Sequence, residues 1–211
     1  MYVTRSPIRF SLVLGLIACY HGAMALEARP ARGHFPFNER KATAAAAFLL
    51  QQEGGTMDYM RLVKLLYLAE RESLAHLGHP LTGDTYRALD QGPILSRIVD
   101  LCKQPSSGVW GTQVERSGLW AVRLKTTPDL GPLSPAEMTI LEEVAKAHRD
   151  HDQWQLSTLM QSLPEWRDPR GARVEIAPTD ILAALGKTPD QIREILDEAD
   201  DDARVDALLR E

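Results

Sequence analysis

The stretch RLVKLLYLAERESLAHLGHPLTGD, residues 61–84, decides the fold. It begins as a strongly apolar helix and ends in a turn that contains Gly, His, Pro and Thr. The side chains that share or extend its apolar surface are Leu62, Val63, Leu65, Leu66, Tyr67, Ala69, Ser73 and Leu74. A helix that is apolar over most of its circumference is expected to be surrounded by other elements. We therefore predict a central helix from about Thr56 to Leu77, ended by Gly78.

Helical patterns also dominate the chain on both sides of this stretch. Helices are predicted over residues 39–53, 93–102, 134–148 and 153–163, and two or three more over residues 179–210. Asn38 is a suitable N-cap for the first of them, and Ser134 with Glu137 has the spacing of a capping box. Pro93 is expected in the first turn of its helix, where proline is favoured.

The expected β-structure is small. Residues 109–125, VWGTQVERSGLWAVRLK, alternate in polarity around Arg116–Gly118, which favours a β-hairpin carrying Trp110 and Trp120. Residues 84–94 suggest a short extended piece and a turn, and residues 165–178 a loop. We therefore predict a mainly α fold, a compact helical domain with a small β-hairpin insertion.

Composition and charge limit the class of protein. A chain of 211 residues with 44% hydrophobic residues can bury one good core. The net charge is −5, and residues 175–211 contain 11 acidic and 4 basic side chains, so the acidity lies in the tail. We expect an N-terminal extension over 1–37, a helical domain over 38–174, and acidic helices over 175–211 that pack on it or extend from it. Nucleic acid is not an expected partner, because binding its backbone requires clustered cations.

The N-terminus has two interpretations. Residues 1–28 contain two arginines, an apolar run over 10–20, and Ala23–Met24–Ala25, an order that fits a secretory signal cleaved before Leu26. The apolar run is too short for a membrane-spanning helix. The alternative is that translation starts at Met24. No membrane association of the mature domain is expected.

Motifs that carry chemistry are scarce. Cys19 and Cys102 are 83 positions apart and form no recognisable motif, and Cys102 is expected to be a small buried side chain. His148, His151 and Asp152 could share a helical face and ligate a metal, which would suit an exported metal-dependent hydrolase, although no third ligand from elsewhere is evident. The favoured interpretation is a set of solvated residues at a helix end. We expect no enzyme activity, no cofactor and no metal.

The four tryptophans have two possible roles. Trp110 and Trp120 lie on the predicted hairpin, and Trp154 and Trp166 lie beside the helix over 153–163. Aromatic side chains usually belong to the core. Tryptophans on a hairpin can also anchor a protein–protein interface, where they are enriched among hot spots.

Several phrases in a fixed order resemble the Panacea domain family, also called SocA-like antitoxins or phage-associated proteins. They are the opening stretch, YRALDQGPI, LSPAEMTILEEV, LMQSLPEWRDPRG and TDILAALG, and the resemblance covers residues 41–195. It implies a compact, mostly helical antitoxin that binds and blocks a toxin encoded beside it. It also implies pairing with varied toxins and, in one branch, service as an adaptor that presents the toxin to a ClpXP-type protease.

The resemblance also assigns motif positions. They correspond to Lys64, Leu65, Leu66, Tyr67, Tyr86, Gly92, Pro93, Pro164 and Trp166. Gln161 stands where the family often has a histidine. A toxin is neutralised where it is made, so the resemblance favours a cytoplasmic protein that starts at Met24 or carries a non-functional extension. Export through residues 1–25 is the alternative.

Partner-binding candidates follow from the motif positions and the hairpin tryptophans. They are Lys64, Tyr67, Arg71, Tyr86, Gly92, Pro93, Trp110, Trp120 and Trp166. For Lys64, Tyr67 and Arg71, a role in organising the central helix is the favoured interpretation. The acidic tail is either a solvated charged helix or a surface that steers a basic partner.

Overall fold

A computed structural model describes residues 33–104 and 108–208, the side chain of Asp206 excepted. Helices in this part of the chain are α1 (Glu39–Gln52), α2 (Tyr59–His76), α3 (Ser96–Lys103), α4 (Val109–Gln113), α5 (Pro135–Ala147), α6 (Gln153–Gln161), α7 (Pro178–Ala184) and α8 (Pro189–Leu208). The predicted signal segment, the alternative start at Met24 and Cys19 lie outside the described residues.

The strands form two small antiparallel sheets within the described ranges. They are β1 (Thr56–Asp58), β2 (Tyr86–Leu89), β3 (Gly92–Leu95), β4 (Val114–Ser117), β5 (Ala121–Leu124) and β6 (Val174–Glu175). One sheet has the order β1-β5-β4 and the other β3-β2-β6. The predicted mainly α class with minor β content is confirmed, with two hairpins where one was predicted.

The central position predicted for the apolar helix is confirmed. Leu62, Leu65, Leu66 and Ala69 of α2 have no exposed surface. The helix contacts α1, α3, α5, α6, α7, β1 and β3. The alanine-rich face of α1 is also buried, and such small side chains permit a close approach of neighbouring elements.

The predicted start of α2 near Thr56 is wrong, because a short strand precedes the helix, which begins at Tyr59. Thr56–Asp58 is β1, which pairs with β5 in the register Met57↔Val122. Asp58 then caps α2, because its Oδ1 accepts hydrogen bonds from the backbone N–H groups of Met60 and Arg61 at 2.9 and 3.1 Å. The long-range strand pairing overrides the local helical pattern.

Two placements in the hairpin regions are also corrected. Pro93 lies in β3, not in a helix, and α3 begins only after Leu95. A proline is tolerated there because β3 is an edge strand of its sheet. Trp110 lies on α4, which precedes the β4–β5 hairpin, and α4 packs on α1.

The C-terminal part differs in one detail. Residues 165–178, predicted as a loop, contain β6, which pairs with β2 through Ala88↔Val174. Two helices follow, and α8 packs Ile192, Ile195 and Leu196 against the core. Its exposed acidic side chains are those of Asp190, Glu194, Asp197, Glu198, Asp201 and Asp202. Every helix in the described ranges is too short or too polar to cross a membrane.

Candidate partner-binding surface

Glu70 fastens the segment before β2 to the central helix. Its Oε1 accepts hydrogen bonds from the Tyr86 hydroxyl at 2.9 Å and the Gly83 N–H at 3.0 Å. Its Oε2 accepts from the N–H and the hydroxyl of Thr82 at 2.8 and 3.0 Å. Burial raises the pKa of Glu70 to about 7 even though these donors lower it. Tyr86, a predicted partner-binding residue, therefore lies inside this buried network.

A second buried carboxylate fastens the segment after α6. Glu165 Oε1 accepts hydrogen bonds from the Tyr67 hydroxyl at 3.1 Å and from Arg71 Nε at 2.7 Å. The next residue, Trp166, donates its Nε1–H to the Leu89 carbonyl at 3.0 Å. Tyr67, Arg71 and Trp166 are thus brought together around Glu165. These three are among the predicted partner-binding residues, whereas Glu165 is not, although it lies within the motif LMQSLPEWRDPRG.

The turn between β2 and β3 lies against α6. Gly92 has φ +99°, and a Cβ there would lie 2.9 Å from Met160 Cβ, so this position requires glycine. Gln161 donates its Nε2–H to the Asp90 carbonyl at 2.6 Å, so the end of α6 also contacts this turn. Pro93 is buried in β3.

Most of the nine predicted partner-binding residues lie inside the domain. Lys64, Tyr67, Tyr86, Gly92, Pro93 and Trp110 are buried, and Arg71 and Trp166 are half-buried. Trp110 is additionally held by its backbone N–H, which donates to Glu39 Oε1 at 3.1 Å. Trp120 is the exposed member of the set.

A cleft on the surface contains two tryptophans and one buried lysine. Its volume is about 470 Å³, and it is lined by Asp58, Tyr59, Met60, Lys64, Gln91, Trp120, Gln153 and Trp154. We call this site the tryptophan cleft. It lies where the start of α2, the β2–β3 turn, the β4–β5 turn and the start of α6 meet.

Trp120 has a fixed position on one side of the cleft. Its carbonyl accepts a hydrogen bond from the Tyr59 N–H at 2.9 Å, next to the β1–β5 pairing. Its ring stacks on Tyr59 with centroids 6.3 Å apart and an interplanar angle of 9°. The Trp120 side chain is nevertheless 66% exposed. It is therefore an ordered aromatic surface.

Trp154 stands on the other side, at the start of α6, and is 57% exposed. Asp152 caps this helix, with its Oδ1 accepting from the N–H of Trp154 at 2.9 Å. The loop before it is held by Arg61, whose Nε donates to the His151 carbonyl at 2.9 Å and whose Nη2 donates to Glu53 Oε1 at 3.0 Å. Trp154 is not among the predicted partner-binding residues, because its place beside Trp120 depends on the folded domain.

Lys64 lines the cleft from the side of α2. Its side chain is fully buried, and its Nζ donates to the Gln91 carbonyl at 3.0 Å. An ammonium has three N–H donors, and this bond uses one. Burial lowers the pKa of Lys64 to about 8, and the nearby Asp58 carboxylate partly opposes that change.

The histidine pair considered as a metal site lies between α5 and α6. His148 Nδ1 and His151 Nδ1 are 3.2 Å apart, and burial lowers the pKa of His148. Asp152 is used as the cap of α6. Over residues 33–104 and 108–208, no group of three or more His, Cys, Asp or Glu is placed to hold a metal ion.

Comparison with known proteins adds a family match. The model for the family described as "Antitoxin SocA-like, Panacea domain" matches residues 62–167. This range extends from the first apolar residues of α2 to the segment after α6, and it contains Lys64, Trp120 and Trp154. No curated protein and no solved structure matches the chain.

Proposed function

Because the chain belongs to the family of SocA-like antitoxins with a Panacea domain, we propose that it neutralises a toxin encoded by a neighbouring gene. It does so by direct protein–protein binding, without catalysis. The family match over residues 62–167 carries this proposal. Helix α1 precedes the matched range and α7 follows it, and both helices contact α2.

The surface supports a binding role. Trp120 and Trp154 are ordered by hydrogen bonds of their backbone, yet more than half of each side chain is exposed to solvent. Tryptophan is enriched among the residues that contribute most to protein–protein binding. Two such side chains around one cleft are costly to leave in water unless a partner covers them.

Co-expression with the neighbouring gene tests the proposal. We expect the neighbouring product alone to arrest growth, and co-expression of this protein to restore it. An affinity-tagged copy of this protein is expected to retain the neighbouring product through purification. A frameshifted copy of the gene is the matched control. Absence of both rescue and co-purification would reject the antitoxin function.

The mode of neutralisation is tested by the half-life of the toxin. We propose sequestration, in which the bound toxin persists or is protected. An adaptor for a ClpXP-type protease would instead shorten the half-life of the toxin when this protein is present. Pulse–chase labelling with and without the protease distinguishes the two.

We infer that the protein acts in the cytoplasm, where its toxin is made, and that translation starts at Met24. Sequencing the N-terminus of the native protein tests this inference. A first residue at Met24, or at Ala25 after removal of the methionine, is the expected result. A chain that begins at Leu26 would indicate cleavage of a signal peptide and export.

A further inference from the structure

We propose that the tryptophan cleft docks the toxin, and that its occupant is a toxin segment with an apolar side chain beside a carboxylate. This proposal rests on the proposed antitoxin function and assigns the surface and the chemistry that it requires.

The aromatic and thioether side chains that line the cleft favour an apolar side chain as its occupant. Trp120 and Trp154 present their rings beside the half-buried Met60, whose flexible thioether can adapt to differently shaped partners. A volume of about 470 Å³ is in the range of small-ligand pockets and holds one large side chain with the backbone beside it. Because Trp120 is already stacked on Tyr59, little side-chain freedom is lost when a partner binds.

The ammonium of Lys64 favours a carboxylate as its partner in the cleft. Lys64 is fully buried, it lines the cleft, and its hydrogen bond to the Gln91 carbonyl leaves two of its N–H donors for other acceptors. Asp58, the other charged residue of the lining, already accepts hydrogen bonds from the N–H groups of Met60 and Arg61. An incoming carboxylate would form a charge-assisted hydrogen bond with the ammonium in a place that excludes water.

The same features disfavour a nucleic acid in the cleft. Its lining contains one cation and one anion, and the whole chain has a net charge of −5. Binding a phosphate backbone requires several clustered cations. A single carboxylate in an otherwise apolar segment matches the single buried ammonium of a cleft that is also lined by two tryptophans.

The experiment measures the affinity of the full chain for the toxin by titration calorimetry. Trp120→Ala and Trp154→Ala are each expected to weaken binding at least tenfold, since hot-spot tryptophans have effects of this size. Leu208→Ala removes a large exposed side chain from α8 and is the matched control, expected to stay within twofold of the wild type. Unchanged thermal unfolding of the tryptophan variants excludes a folding defect.

A double-mutant cycle tests the lysine. A photo-crosslinking amino acid at position 120 identifies the toxin segment, and each Asp or Glu in it is changed to Asn or Gln. We expect one such change in the toxin to weaken its binding to the wild-type protein at least tenfold. The same change is expected to leave the affinity of the toxin for the Lys64→Met variant unaltered. This coupling separates the ion pair from any general damage that Lys64→Met does to the fold.

Each outcome bears on the proposal. Wild-type affinity of both tryptophan variants would overturn it while the antitoxin function stood. Crosslinks to a second copy of this chain or to nucleic acid, or a crosslinked segment without coupling to Lys64, would also overturn it. Failure of the wild type itself to bind the toxin would reject the antitoxin function and this proposal together.

Discussion

Four charged side chains of α2 point into the domain, and each holds a different segment of the chain. Arg61 binds the His151 carbonyl in the loop before α6. Lys64 binds the carbonyl of Gln91 in the β2–β3 turn. Glu70 binds the segment before β2 through Thr82 and its neighbours, and Arg71 binds Glu165 after α6. Buried charges persist only when paired or hydrogen-bonded, so these residues set where the surrounding segments lie.

Glu165→Gln is expected to lower the free energy of unfolding by roughly 3 kcal/mol, because it leaves the guanidinium of Arg71 without its buried anion. The amide oxygen can still accept from Tyr67, so the loss reports mainly on the ion pair. Urea denaturation measures it. Glu115→Gln breaks the exposed pair with Arg123 and is the control, with an expected loss below about 1 kcal/mol. Equal losses would contradict the interpretation.

Glu70 makes stability depend on pH in a defined direction. Its folded pKa of about 7 exceeds the ordinary value of about 4.3 for glutamate. Between these values the folded protein binds the proton more tightly than the unfolded chain, so the contribution of Glu70 to stability falls as the pH rises. In the Glu70→Gln variant the side chain cannot ionise, so this part of the pH-dependent loss of stability is absent.

The measurement is urea denaturation of wild type and Glu70→Gln across that pH window. The stability of the wild type relative to the variant should decrease by on the order of 3 kcal/mol as the pH rises from about 4.3 to about 7. Glu143→Gln, at an exposed position on α5, controls for the general effect of charge removal. A constant difference between wild type and Glu70→Gln would disprove the assignment.

At the scale of elements, the tryptophan cleft depends on two tight turns that project from short sheets. The β2–β3 turn at Asp90–Gln91 lies against α6, and the β4–β5 turn carries Trp120. Gly92 lets the first of these turns lie directly on Met160. Close packing of a turn on a helix therefore fixes one side of the cleft.

Gly92→Ala is expected to destabilise the protein by about 1–3 kcal/mol more than Gly118→Ala. Both glycines have positive φ, +99° and +71°, so both substitutions strain the backbone. Of the two, only a Cβ added at Gly92 meets neighbours within 4 Å, namely Met160 Cβ at 2.9 Å and the Ser157 carbonyl oxygen at 3.6 Å. Thermal and urea unfolding of the two variants measures the difference. Similar losses of stability in the two variants would mean that α6 can shift away from the added methyl group without lowering the free energy of unfolding.

Elements with local signals were predictable from sequence, and elements that depend on distant partners were not. The Asn38 cap of α1 and the Ser134–Glu137 capping box of α5 are present as predicted. Strands β1 and β6 have two or three residues, and their partners lie far along the chain, so no local periodicity marks them. The cleft was missed for the same reason, since Lys64, Trp120 and Trp154 meet only in the folded domain.

At the scale of the whole molecule, one core joins the helices and both sheets. Buried apolar side chains from α1 through α7 belong to a single cluster, with α8 packed at its margin. Cys102 of α3 lies in this cluster, and burial raises the pKa of its thiol well above the ordinary range. A buried thiol reacts only when the structure opens.

Cys102 therefore reports on opening of the core. In a Cys19→Ser background, we expect a thiol reagent to label Cys102 at a rate that follows global unfolding and rises steeply with urea. Complete labelling above the urea midpoint serves as the control for reagent activity. Labelling within seconds in native buffer would show that α3 opens separately from the rest of the core.

The turn that presents Trp120 has a consequence for how such a domain diversifies. Leu119 and Trp120 are largely exposed at the tip, while β4 and β5 hold the base through Val114 and Val122 in the interior. If the tip docks a partner as proposed, exchange of Leu119 and Trp120 would change the surface that the partner meets without disturbing the interior. Related proteins with this fold could then acquire new binding specificities through single substitutions at the tip, because the buried core tolerates each of them.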